Sequence, residues 1–174
     1  LLSMAEEERW FESQSVDGSH LVLAIEDENG HHIGNIGLHK IDFRNGTAEI
    51  GIAIGEKDAW GMGYGPEATL ILLRYAFEDL RLHRVRSAAF AENARSIRCQ
   101  EKCGFVREGV RRETIFRFGR WHDLVLFGIL AEEFFRADRG RPSQLSGEGA
   151  DPKGSDPVDE GPSTTPSRLK PAYA

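Results

Sequence analysis

Three β-type runs, at residues 21–25, 33–43 and 48–54, follow one another with short polar gaps that contain Asn29-Gly30 and Asn45-Gly46. Asn-Gly between apolar runs is the strongest short-range hairpin signal, so the pattern predicts three antiparallel strands in a meander. In the third run, period two puts Ile50, Ile52 and Ile54 on one face and Glu49, Gly51 and Ala53 on the other. The second face is nearly bare. Either a helix packs closely there or something lies against the backbone.

Helical periodicity takes over at 68–80, where Leu70, Leu73, Phe77 and Leu80 form one stripe with Ala68, Leu72 and Ala76 beside it. So wide an apolar surface implies burial against a sheet. Residues 84–90 read as a strand, and a strand–helix–strand order predicts that 48–54 and 84–90 run parallel as neighbours. Residues 93–105 read as a short helix with Asn93 as N-cap and Gly104 as C-cap, and with Asn93, Ser96 and Gln100 on one face. Residues 106–117 and 121–130 then flank a turn at Phe118-Gly119-Arg120, and the apolar stretch 124–130 suits an interior strand. Near the start, 5–13 carries Trp10 and Phe11 as anchors of a short amphipathic helix.

Beyond about Ala137 the pattern stops. Six of the seven prolines lie there among Gly, Ser and Thr, so 139–174 cannot offset its ordering entropy by burial and is expected to be disordered. The chain thus divides into one domain at 1–136 and a tail at 137–174. A formal charge of −6 argues against a general nucleic-acid or membrane-surface binder. No apolar run approaches the roughly 20 residues of a membrane span, and the N-terminus lacks a signal peptide's layout, so the expected compartment is the cytoplasm. Cys99 and Cys103 lack further metal ligands nearby and read as reduced, packed thiols, with no metal expected.

The chemistry concentrates between the third strand and the long helix. Gly61, Gly63 and Gly65 can turn backbone N–H groups toward one point, and Pro66 suits a first helical residue. A helix start of this kind attracts a phosphate or pyrophosphate. The loop is not a P-loop, because Pro66-Glu67 stands where Lys-Ser or Lys-Thr is needed, and the glycine spacing is not that of a dinucleotide fingerprint. A tight turn without a ligand remains the alternative.

Taken together, Ala48-Glu-Ile-Gly51, the run from Ile54 through Trp60-Gly-Met-Gly-Tyr-Gly65 to Ala68, Ala91-Glu-Asn-Ala-Arg-Ser-Ile-Arg98 with Glu101-Lys-Cys-Gly-Phe105, and Gly119-Arg-Trp-His-Asp123 resemble the GCN5-related N-acetyltransferase (GNAT) family, in particular its ribosomal-protein N-terminal acetyltransferase branch. The resemblance covers about residues 5–135. It implies an α/β (α+β) fold with one mixed, mostly antiparallel twisted sheet, a central parallel strand pair and flanking helices. It also implies acetyl-CoA as cosubstrate, with the pyrophosphate on the N–H groups of Trp60, Gly61, Met62, Gly63, Tyr64 and Gly65. The pantetheine arm would pair with Ile52, Ala53 and Ile54, and Asn93 would contact the cofactor. The family's first strand and helix have no counterpart in 1–4, which would leave an exposed sheet edge. Gln100 stands where many relatives carry a tyrosine acid, and an amide cannot protonate a thiolate usefully. Ser96 is the implied substitute.

The implied reaction is direct attack of a primary amine, on a protein N-terminus or a small molecule, upon the thioester. It needs a neutral amine, a stabilised oxyanion and help for the leaving thiolate. Glu49 is the first candidate base and Glu113 the second; a backbone N–H among Ile52–Ile54 would polarise the carbonyl. His122, beside Trp121 and Asp123, reads as a hairpin-fixing residue. Two other readings are an aminoglycoside-type antibiotic N-acetyltransferase and a non-catalytic acyl-CoA-binding module. A homodimer is also compatible with the sequence.

Overall fold

The computed structural model describes residues 18–139 and the backbone of 168–171. The expected early helix at 5–13 lies outside the described residues. The meander forms as β1 (Leu21–Glu26), β2 (His32–Asp42) and β3 (Thr47–Ile54), with Gly30 and Gly46 at positive φ in the two turns. A single 3-10 turn, Lys57–Ala59, leads into α1 (Tyr64–Glu78). Then come β4 (Arg84–Phe90), α2 (Ala94–Lys102), β5 (Val106–Arg117), β6 (Arg120–Leu130) and α3 (Ala131–Asp138). Phe118 and Gly119 turn the last hairpin with φ of +52° and +75°, the left-handed pair that matches strand twist.

The sheet runs in the order β5-β6-β4-β3-β2-β1, and a short strand β7 (Arg168–Pro171) adds antiparallel to the far side of β1. This corrects the expectation of disorder throughout 139–174. The same contact covers β1 from Leu23 to Glu26, where the sequence alone suggested a bare edge. Residues 140–167 and 172–174 lie outside the described residues. β6 is an interior strand, as its apolar composition required. The pair β3/β4 is parallel, and every other pairing is antiparallel.

The helices gather on one face. α1 meets α2 through Cys103 and Pro66 and meets α3 through Phe77 and Phe134, whose rings lie 5.4 Å apart. Between them and the sheet lie Ile36, Leu38, Leu72, Leu73, Val85, Phe127 and Phe134, all nearly or fully buried. The sequence reading did not foresee α3. Its signal was local: the Glu133 carboxylate accepts the Leu130 N–H at 2.9 Å, and Glu132 and Glu133 occupy the first turn, where acidic groups favour the helix dipole. Among the described residues, no helix is long and apolar enough to cross a membrane.

Candidate functional site

The parallel pair is short. β3 and β4 pair at Thr47↔Arg84, Ala48↔Val85 and Glu49↔Arg86, and beyond that rung they part. On its other side β3 stays paired with β2 up to Ile54. Strand alternation then decides which groups face the gap. Gly55 donates its N–H across to Ile33 of β2 at 3.0 Å, so Ala53 and Gly51 point the same way, and the N–H and C=O groups of Ile52 and Ile54 point into the wedge. The Trp60 indole Nε1 confirms the direction by donating to Ile54 O from that side at 2.9 Å. A strand edge that opens onto space retains its hydrogen-bonding demand.

The wedge continues into a cleft of about 510 Å³, floored by Ile52–Ile54 and walled by the glycine loop on one side and α2 on the other. In the loop, Gly61 and Gly63 have φ of +85° and +100°, and an added Cβ would meet nothing within 4 Å. These glycines are required by backbone conformation, not by crowding. Gly65 differs: its Cβ position lies 3.5 Å from Cys99 Sγ and 3.8 Å from Ile54 Cδ1, where the helix start presses on the cleft floor.

Two details depart from expectation. α1 begins at Tyr64 with Gly63 as N-cap, so Pro66 is its third residue, not its first. The Trp60 N–H is already committed to Lys57 O at 3.1 Å, leaving the N–H groups of Gly61, Met62 and Gly63, with Tyr64 and Gly65 in the first helical turn, as the loop's donors. Trp60 contributes its ring. The side chains of Met62 and Tyr64 do not line the cleft, so their positions matter through the backbone.

On the opposite wall, Asn93 caps α2 by accepting the Ser96 N–H on Oδ1 at 3.1 Å. Both residues line the cleft, and the Asn93 amide nitrogen and the Ser96 hydroxyl have no hydrogen-bond partner among the described residues. Three cations share this wall: Arg95, Arg98 and Lys102, with Cys99 among them. Sequence reasoning missed them. The signal was present, since 95, 98, 99 and 102 follow the i, i+3, i+4, i+7 spacing of one helical face. Arg95 lies over the Trp60 ring at 4.2 Å. The Cys99 thiol is half-buried, and its pKa is lowered to about 7 by a hydrogen bond with Cys103, against burial, with help from Thr69 and Lys102.

The two candidate bases separate. Glu49 stands at the last paired rung of β3 and β4, on the sheet face away from the helices, 2.7 Å from Lys40 Nζ and 3.7 Å from Arg86 Nε. Burial alone would raise its pKa, but Lys40 foremost, then Arg86 and Arg111, outweigh it and hold the carboxyl below its ordinary value. Ile52 is three residues further, about 10 Å along the strand. The bare strip noted in sequence is partly filled: the His39 ring lies 3.5 Å from where a Gly51 Cβ would be, while Ala53 is exposed at the cleft.

Glu113 is not brought to the cleft. It sits in a bulge of β5 at φ +48°, in a separate depression with Arg111, Arg112, Thr114 and Asp123, and its N–H donates to the Asp123 carboxylate at 2.8 Å. His122 is buried, bonded to Glu92 Oε1 at 2.9 Å and Arg117 O at 3.0 Å, and packed edge-on against Phe90. That is a hairpin-fixing role. Gln100 is buried with its Oε1 unpaired among the described residues, and it does not line the cleft.

Comparison with known proteins meets this geometry from a different direction. A family model described as an acetyltransferase (GNAT) domain matches residues 1–106. An uncharacterized N-acetyltransferase of Bacillus subtilis, the prophage-derived YokL, is 34% identical over 125 residues, covering 72% of this chain and 70% of its own. The putative ribosomal N-acetyltransferase YdaF of the same organism is 39% identical over 106 residues, 61% of this chain and 57% of the relative. Among solved structures, the Vibrio cholerae spermidine N-acetyltransferase in complex with CoA and spermine superposes with a TM-score of 0.72 at 28% identity, covering 76% of this chain and 78% of that one. The chain belongs to the GNAT acetyltransferase family and is an acetyl-CoA-dependent N-acetyltransferase, acting on an amine.

Proposed function

We propose that the cleft where β3 and β4 part binds acetyl-CoA and that the acceptor amine approaches its inner end from the Glu49 face of the sheet. The observation that carries this reading is the strand edge left free by β4 at Ile52 and at the Ile54 N–H, followed by the donor-rich loop at Gly61–Gly65. Acetyl-CoA supplies an activated acetyl thioester. The chain's own groups do the rest. The loop N–H groups and the start of α1 take the pyrophosphate. The Ile52 N–H and C=O and the Ile54 N–H pair with the amides of the pantetheine arm, and a wedge-facing N–H polarises the thioester carbonyl. The Ser96 hydroxyl, without a partner among the described residues, hydrogen-bonds the departing sulfur. Asn93 keeps its amide nitrogen for the cofactor, its oxygen being spent on the cap.

Glu49 serves as base, and its environment narrows the acceptor. A carboxylate held low by Lys40 and Arg86 is a weak base that works best through water on an amine already partly neutral. An α-amine, with pKa near 8, meets that condition at neutral pH; a lysine-like amine near 10.4 does not. The charged groups acting on Glu49 are the cations Lys40, Arg86 and Arg111, whose positive charge disfavours a polycation beside it. Both arguments support a protein or peptide N-terminus over a polyamine.

The test is a steady-state comparison of acetyl transfer from acetyl-CoA to a short peptide with a free N-terminus and to spermidine. The expected result is a kcat/KM for the peptide at least about tenfold higher. Equal or better use of spermidine would contradict the acceptor reading while leaving the cofactor site intact.

A further inference from the structure

We propose that Arg95 and Arg98, on the wall facing the glycine loop, form a second phosphate site that takes the 3′-phosphate of CoA and so distinguishes CoA from its dephospho form. The inference rests on the acetyl-CoA reading above and goes beyond it to a recognition element. CoA carries two phosphate groupings, a pyrophosphate within the chain and a monoester on the ribose. The cleft offers two anion-binding walls of different chemistry. The loop presents uncharged N–H groups, suited to a pyrophosphate that lies along the backbone. α2 presents guanidinium groups, suited to a dianionic monoester, which accepts paired charge-assisted hydrogen bonds.

Helix stability does not explain these arginines. Lys102 stands in the last turn of α2, where a cation complements the dipole. Arg95 stands in the first turn, the end that repels cations, and no acidic residue accompanies it there. Ion pairing does not explain them either. Among the described residues, ion pairs engage Arg74, Arg84, Arg86, Arg120 and Arg136, and neither Arg95 nor Arg98. Instead, Arg95 is held over Trp60, whose indole is pinned by its bond to Ile54 O. One cation is thus fixed at a set distance from the strand that takes the pantetheine arm. In a chain of net charge −6, two cations without carboxylate partners in the cofactor cleft mark a site that expects charge from its ligand.

The experiment is calorimetric titration of the full chain with CoA and with 3′-dephospho-CoA, repeated on Arg95→Gln/Arg98→Gln and on each single variant, with melting curves to confirm folding. Both side chains are exposed, so the variants should melt as the parent does. The wild-type chain should bind CoA about ten- to a hundredfold more tightly than dephospho-CoA, and the double variant should bind the two alike, with its dephospho-CoA affinity little changed. Equal wild-type affinities would overturn the proposal, as would a preference that survives in the double variant. Both results leave the cofactor cleft standing. Failure of a folded wild-type chain to bind either compound would instead overturn the acetyl-CoA reading and the second site with it.

Discussion

The two halves of β3 share β2 on one side and differ on the other. From Thr47 to Glu49 the strand is paired on both sides, and Glu49 closes the last rung with an ion pair to Arg86. From Ile52 to Ile54 it keeps β2 and loses β4, and the freed edge becomes the floor of the cleft. The backbone of the first half is held by strands on both sides. In the function proposed above, the second is a binding surface made by withholding a strand, with the backbone supplying donors and acceptors at fixed spacing and no polar side chain needed. That accounts for the all-isoleucine face: Ile52 and Ile54 pack their side chains toward α1 while their N–H and C=O groups face the wedge.

The sharpest way to probe the boundary between the halves is Glu49→Gln. On the proposed role of Glu49 as base, its loss should lower turnover by about a hundredfold or more while acetyl-CoA affinity changes little. Parallel loss of binding and turnover would make Glu49 part of the structural half. Next in size is Gly63→Ala, which forces a side chain into a left-handed conformation at a cost of about 1–2 kcal/mol. Acetyl-CoA affinity should fall about tenfold in a calorimetric titration, and an unchanged affinity would remove the loop from the site. Asn93→Ala tests the facing wall. Loss of the cap should destabilise the fold by about 1 kcal/mol in denaturant unfolding. Any larger effect on affinity than on stability would assign Asn93 mainly to the cofactor.

The smallest expected effect concerns pH. Folding lowers the Cys99 pKa from 9.0 to about 7, so thiolate formation favours the folded state. The contribution is full above pH 9 and disappears as pH falls through about 7. Alkylation of Cys99 by iodoacetamide should therefore reach half its limiting rate near pH 7, and CoA should slow it. A midpoint near 9 would contradict the environment described for the thiol.

Much of this arrangement is legible in the sequence. The Asn-Gly turns and the isoleucine alternation announced the meander, and Asn93 and Gly104 marked the ends of α2. The glycine loop was legible as a donor cluster because φ-permissive residues at every second position have few other uses. What could not be read is where partners run out. The parting of β3 and β4 is a tertiary event, and no local pattern in 48–54 or 84–90 states that pairing ends at Glu49 and Arg86. The same holds for the Trp60 N–H, spent in a 3-10 turn, and for Glu113, which spacing alone could not separate from the cleft. Composition also misled at Arg168–Pro171, since pairing with an available edge asks for backbone groups more than for apolar side chains.

In the proposed complex the unzipped half of β3 receives the cofactor arm through its backbone. Amide hydrogen exchange, measured residue by residue with and without acetyl-CoA, tests it most directly. Strong new protection is expected at Ile52 and Ile54 together with Gly61–Gly65, and no change at Glu49, whose pairing is complete beforehand. Tight binding with Ile52 and Ile54 still exchanging freely would contradict it.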